Sequence, residues 1–418
     1  MMEISTVIIL TILILINWYR KKYLLNPVTV FSGIWVVEVI LANFRMYGMI
    51  EYSEKALLII LLGNIAFFIG SYPKKRLRFK VGTSAKKDCE VLYFNIPTLY
   101  ACILIAAVCA FVVAASVIGS LAKGQNYAYV RDMLFGYDTS DTLVQSGLFM
   151  LFFTWVVTGI IYAIMPIALV ALFEGKSKRR GVVFASLLIA IIYSFATAGR
   201  ATLFVLGIQL VVLIFHYRVV ITRKQKRIIF CILAALVSFL VVVSILRRGA
   251  GNINSFYTYF CMSVPLLSHW IDFIDTHNYR TYGLATLYGV IALIANTFGK
   301  FVTIPGYDAL NEIVNAPQNE WVWIFRDPLT HYNAFCSLFY YLYLDFGFAG
   351  VFLLSLIFGF AANNIFCSIT RDKKSLVEYL FVIQMLALSF MKLQIANPPY
   401  IIAWIIIELS VVRRNKIK

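Results

Sequence analysis

Five arginines carry the most specific chemistry in this chain: Arg200, Arg247, Arg248, Arg280 and Arg326. A guanidinium is always charged and offers parallel N–H donors to a pair of phosphate oxygens, a geometry that a lysine ammonium lacks. Arginines grouped at one membrane face would grip a diphosphate. They would equally anchor helix ends to lipid headgroups by snorkelling, and spacing alone leaves both readings open. Acid–base candidates lie nearby in sequence. His269, Asp272, Asp275 and His277 fall within nine positions, and on a helix His269 and Asp272 share a face. A solvated helix end explains that cluster as well as catalysis does. His331 follows Arg326-Asp327-Pro328 and precedes an aromatic run. An imidazole there could take a proton from a hydroxyl near neutral pH, or simply hydrogen-bond to backbone. His331 is therefore the first candidate base and Asp272 the second. No metal and no cofactor is expected. There is no Gly-rich phosphate loop and no His-rich run, and the seven cysteines include no pair at metal-ligand spacing.

The elements that must hold these residues are membrane helices. With 61% hydrophobic residues, 14% charged residues and a mean hydropathy of +0.83, the 418-residue chain has more apolar surface than a soluble core of this size could hide. The net charge of +17 is no sign of nucleic-acid binding, because the basic residues do not share one face. They cluster at 20–22, 74–87, 176–180, 218–227, 371–374 and 413–418, beside apolar runs. About twenty apolar residues cross a bilayer. That length predicts about eleven spans, near 4–20, 26–45, 55–72, 95–119, 146–172, 181–199, 201–217, 228–246, 347–369, 376–393 and 399–412. One orientation puts every basic cluster in the cytoplasm, with the N-terminus outside and the C-terminus inside. All five arginines then lie on the outer side, against the usual charge bias.

The expected fold is all-α: a single polytopic membrane domain over 1–418, with one long outer segment at 247–345. Two uncharged runs in that segment, 281–299 and 332–344, read as interfacial or re-entrant helices, because the loop 300–331 between them lacks the basic cluster of a cytoplasmic connector. The stretch 249–345 holds 21 aromatic residues in 97 positions, densest at Trp321-Val322-Trp323 and Phe339–Tyr343. Flat rings with a polar edge suit sugar faces, and they also suit membrane interfaces.

At this point the chain resembles the Wzy-type oligosaccharide repeat-unit polymerases of bacterial O-antigen, capsule and exopolysaccharide assembly. The resemblance rests on Asn26-Pro27-Val28 opening the second span, Ala198-Gly199-Arg200 at a span turn, Arg247-Arg248-Gly249 opening the long segment, and Tyr343-Leu344-Asp345-Phe346-Gly347 entering the next span. His331-Tyr332-Asn333 departs from the Asn-x-Tyr-Thr-like stretch of the family, so no role carries over to Asn333 or Ser337. The resemblance implies a metal-independent, GT-C-like glycosyltransferase in the cytoplasmic membrane. It would transfer a growing glycan from undecaprenyl diphosphate to a newly flipped lipid-linked unit, among membrane lipids and alongside a flippase and a chain-length regulator. Arg200, Arg247 and Arg248 would then stabilise the diphosphate, Arg280 and Arg326 would hold the second one, and His331 or Asp272 would activate the acceptor hydroxyl. An O-antigen ligase shares this arginine logic. A lipid-linked oligosaccharide flippase is the alternative outside catalysis.

Overall fold

The computed structural model describes residues 2–73, 91–135, 147–174, 180–217, 255–298, 304–327, 329–370 and 373–414, with a few single positions between 227 and 238. Its helices in chain order are α1 (Met2–Lys21), α2 (Pro27–Asn43), α3 (Glu54–Gly70), α4 (Ile96–Ala122), α5 (Tyr127–Phe135), α6 (Gly147–Glu174), α7 (Arg180–Ala196) and α8 (Ala201–Tyr217). There follow α9 (Ser255–Tyr259), α10 (Ser263–Thr276), α11 (Tyr288–Phe298), α12 (Tyr307–Asn319), α13 (Ser337–Phe366), α14 (Lys373–Ala387) and α15 (Pro398–Ser410). Each span expected up to 201–217, and each from 347–369 onward, coincides with one of these helices. The window 228–246 lies almost wholly outside the described residues. Among the described residues, α1, α4, α6 and α13 are long and apolar enough to cross a membrane, and α2, α7, α8, α11 and α15 are shorter apolar helices.

The fold is helical as expected, and two short strand pairs accompany the helices: β1 (Val91–Phe94) runs antiparallel to β4 (Val411–Arg414), and β2 (Val322–Arg326) to β3 (Leu329–Tyr332). Alternating Val, Trp, Ile and Phe let β2 pair with β3 while Ile324 and Phe325 are buried. The run 332–344 is not a separate interfacial helix. Tyr332 ends β3, and from Ser337 the chain is already the buried first part of α13. By contrast, the described part of 281–299, residues 281–298, forms a turn followed by the 11-residue α11. Such a helix is about 16 Å long, roughly half the hydrocarbon core of about 30 Å.

Packing divides the chain into two compact units. The first comprises Met1–Ser84, Asn252–Arg371 and Val382–Pro398. At one of its ends, Lys21 Nζ donates to Asn363 Oδ1 at 2.8 Å and Arg20 Nη2 to Tyr72 O at 2.9 Å, which joins the flanks of three basic connectors. At the other, Arg45 meets Glu3 at 3.7 Å and Glu51 at 3.5 Å, and Ser53 N donates to Ser268 Oγ at 2.8 Å. There Ile50 N also donates to Ile324 O at 2.9 Å. The core between is aromatic: Phe31 stacks on Phe67 at 4.3 Å, and Trp35 meets Phe339 at 5.0 Å.

The central pair, α3 and α13, approaches at glycines. A Cβ on Gly70 would collide with the carbonyl oxygen of Leu356, and one on Gly359 with that of Phe67. Because backbone cannot yield as a side chain can, Gly70→Ala and Gly359→Ala should each cost about 1–3 kcal/mol. Thermal melting of the purified variants checks this, and unchanged midpoints would contradict the close approach.

The second unit comprises Ala85–Gly251, Asp372–Phe381 and Pro399–Lys418. At one of its ends Asn95 N donates to Ser410 O at 2.9 Å, Lys373 pairs with Glu174 at 2.7 Å and Lys374 with Glu408 at 2.5 Å. These contacts gather helix ends that border the basic connectors 74–87, 176–180, 371–374 and 413–418.

Candidate functional site

Asp345 organises the end of the first unit opposite the basic connectors. Helix α13 breaks at Phe346 (φ −142°, ψ 23°) and Gly347 (φ 61°, ψ −142°), the second being a conformation that suits glycine. The break frees carbonyl groups of the preceding turn, and the loop that follows α10 takes them up. Thr281 N donates to Leu344 O at 3.1 Å, and Tyr282 N to Asp345 O at 3.2 Å. The wholly buried Asp345 carboxylate then gathers the same loop. Its Oδ1 accepts from Thr281 Oγ1 at 2.6 Å, Gly283 N at 2.8 Å and Ala285 N at 3.0 Å. Its Oδ2 accepts from Thr286 N at 3.0 Å and Thr286 Oγ1 at 2.5 Å. Five donors compensate a charge that would otherwise be costly to bury.

Arg280 is the residue this loop delivers. Its guanidinium lies over the Tyr343 ring at 5.3 Å, and Nη2 sits 3.6 Å from Asp275 Oδ1. A Cβ on Gly347 would meet the same Nη2 at 3.7 Å, an ordinary contact, so the glycine of the Asp-Phe-Gly sequence is asked for by the backbone bend at φ 61° and not by space. Asp275, in the last turn of α10, also pairs with Lys55 at the start of α3 and accepts from Tyr343 Oη at 2.9 Å. Two cations thus share one carboxylate, and the side chains of Lys55, Asp275 and Arg280 keep 36%, 31% and 26% of their surface exposed. Apart from Asp275, Arg280 donates to Tyr279 O at 2.5 Å, which leaves most of its five N–H groups for a ligand. The net positive, solvent-reached cluster has the donors a phosphoryl group requires.

Asp275 lies below the usual carboxylate range. Burial alone would raise it, but hydrogen bonds from Lys55 and Tyr343, with the charges of Lys55 and Arg280, outweigh burial. A carboxyl with a lowered folded-state pKa contributes stability above its unfolded pKa, about 4, and loses it as pH falls through the folded value. The melting temperature of the wild type should therefore drop below about pH 4, and Asp275→Asn should remove this part of the acid sensitivity while melting lower at neutral pH. Equal acid sensitivity in both proteins would contradict the pairing.

The other expected residues fall in different surroundings. His331 on β3 is wedged between the rings of Trp321 and Trp323, 4.7 Å from each, and among the described residues its nitrogens make no hydrogen bond. Trp321 and Trp323 are 41% and 53% exposed. Glu320, beside Trp321, acts electrostatically on His269, as does Asp272; burial lowers the His269 pKa and these two acids oppose it. Asp272 is exposed. The two candidate bases come from different elements, Asp272 from α10 and His331 from β3. Arg326 is exposed on the same hairpin, beside Gly48, and does not join Arg280. Arg200 belongs to the second unit, where it follows a left-handed Ala198 (φ 49°) and its carbonyl accepts from Phe204 N at 3.1 Å as α8 begins. Arg247 and Arg248 lie outside the described residues.

Sequence reasoning missed Lys55, Tyr343 and the part played by Asp345, and it left Asp275 as one member of a solvated helix end. A signal for Lys55 existed: it is a cation at the expected outer end of a span, the same oddity that marked the arginines. Among the described residues no three His, Cys, Asp or Glu side chains come together to hold a metal ion. Comparison with protein-family models, with curated proteins and with solved structures finds no match.

Proposed function

We propose that this chain is a glycosyltransferase of the cytoplasmic membrane that joins undecaprenyl-diphosphate-linked oligosaccharide units into O-antigen, capsular or exopolysaccharide. Its helices make about eleven spans, with the N-terminus outside and the C-terminus inside. The observation that carries this reading is the partition of the first unit. The flanks of the basic connectors meet at one end, and a cationic, solvent-reached cluster of Lys55, Arg280, Asp275 and Tyr343 stands at the other.

In the reaction, an acceptor sugar hydroxyl attacks the anomeric carbon of the donor glycan. The bond from that carbon to the diphosphate oxygen breaks, the glycosidic bond forms, and lipid diphosphate leaves with the bonding electrons. Arg280 and Lys55 neutralise the charge that develops on the diphosphate, while Asp275 and Tyr343 hold both cations in place. The hydroxyl proton goes to His331, whose ring sits between two indoles that suit sugar faces. Asp272 is the second candidate for this step.

Analysis of lipid-linked glycans in a source strain lacking the gene tests the reading. Single repeat units should accumulate on the lipid carrier, facing outward, and the intact gene should restore polymer. Units retained facing inward would mark a flippase, and polymer carried to full length on the lipid carrier would mark a ligase.

A further inference from the structure

From its place in the first unit, we infer that Lys392, with the amide row beside it, forms a second anion-binding subsite that takes a phosphoryl or carboxylate group of the lipid-linked glycan. This rests on the glycan reading above. Lys392 lies beyond the end of α14, in a turn clamped to the start of α13: Ser337 N donates to Met391 O at 3.1 Å, and Leu338 N to Ser389 O at 2.8 Å. Its ammonium is half-buried and approaches one neutral acceptor, Gln318 Oε1, at 3.4 Å. Among the described residues no carboxylate lies within 4 Å of it, whereas Lys55, Lys373 and Lys374 each pair with an acid. A cation withdrawn from water and given only a long contact to an amide is under-compensated, and an anionic ligand supplies what is lacking.

The surroundings favour a glycan over other anions. Asn311, Asn315 and Gln318 recur along one face of α12, joined by Asn315 Nδ2 to Asn311 Oδ1 at 2.9 Å and Gln318 Nε2 to Asn315 Oδ1 at 3.3 Å. Tyr288 Oη joins this row, accepting from Asn315 Nδ2 at 2.9 Å, and Asn333 Nδ2 donates to Gln318 O at 2.7 Å. The row bonds largely to itself, with Tyr288 Oη also donating to Asn311 Oδ1; the amide groups that no described residue engages, Asn311 Nδ2 and Asn333 Oδ1, are left to meet hydroxyl groups, and the row ends on the cation. The connecting loop also holds two non-glycine residues in left-handed backbone, Ala334 (φ 68°) and Ser337 (φ 67°), a cost that packing sustains most often around ligand sites.

The test uses the full-length protein in nanodiscs of neutral phosphatidylcholine. It is made in an Arg280→Ala background, so that the Lys55–Asp275 cluster contributes little binding. Inorganic pyrophosphate and glucuronate are titrated separately, with thermal unfolding as the readout. At least one anion should raise the melting temperature. Lys392→Met should melt no lower than its parent without anion, yet bind that anion at least about tenfold more weakly, while Lys392→Arg stays within about threefold. Pyrophosphate dependence assigns the phosphoryl group, and glucuronate dependence a sugar carboxylate. Loss of stability in Lys392→Met with unchanged anion binding, or no response to either anion, would overturn the subsite. A Lys392-dependent anion shift, together with no polymer from the protein that keeps Arg280, would keep the subsite and reject the transferase.

Discussion

Asp345→Asn should be the most damaging single substitution in the first unit, lowering stability by about 2–4 kcal/mol and cutting polymer formation about 100-fold. The wild-type carboxylate accepts five hydrogen bonds from Thr281, Gly283, Ala285 and Thr286. An amide turns one acceptor into a donor, so buried N–H and O–H groups lose their partner and face a like group. The damage then spreads along a definite route. The loop from Thr281 to Thr286 detaches from the break in α13, and Arg280, one residue before it, leaves Asp275 and Tyr343. Stability is read by thermal melting and function by the lipid-linked glycans. In the proposed reaction Asp345 serves through Arg280, so the double variant Asp345→Asn, Arg280→Lys should lose little more activity than Asp345→Asn alone. Additive losses would show that Asp345 serves only the fold.

Arg280→Ala should separate chemistry from stability in the opposite sense. Its ion pair with Asp275 is long, at 3.6 Å, and partly exposed, so removing it should cost less than about 1 kcal/mol of folding free energy. Activity should fall about 100-fold, as when one preorganised group that meets developing negative charge is removed. Arg280→Lys keeps the charge but loses the planar fork, and the ring contact with Tyr343 weakens. An intermediate loss of about tenfold is expected, with normal melting. Wild-type polymer yield from Arg280→Ala would remove this arginine from the reaction.

The helices were readable from sequence because uninterrupted apolar runs bounded by basic connectors leave the backbone one option in a bilayer, to bond within itself. The outer segment was harder. Tyr332 to Leu344 looked like a separate surface helix because Gly347 was taken as the start of a span. A glycine inside one broken helix produces the same local pattern, and only the bonds from Thr281 and Tyr282 to the freed carbonyls reveal the break. Arg280 stood out because arginine is rare on an outer face. Its partners did not, because Lys55 reads as the edge of a span and Asp275 as one of several acids on a helix end. The Asp-Phe-Gly sequence was noticed as a motif, while its physical content depends on a loop sixty residues earlier in the chain. Long-range pairing of this kind leaves no local periodicity to read. His331 was singled out for its neighbours in sequence, and of the neighbours that matter Trp323 comes from the facing strand and Trp321 from just before it.

The transferase reading meets its sharpest test in a reconstituted system. The purified full-length chain in liposomes is given an undecaprenyl-diphosphate-linked repeat unit from its source organism, with no nucleotide sugar and with divalent metal chelated. A ladder of glycans on the lipid carrier should appear, with one lipid diphosphate released per unit added, and should fall about 100-fold with Arg280→Ala. A folded wild-type protein that leaves the substrate as single units under these conditions, with or without added metal, would contradict it.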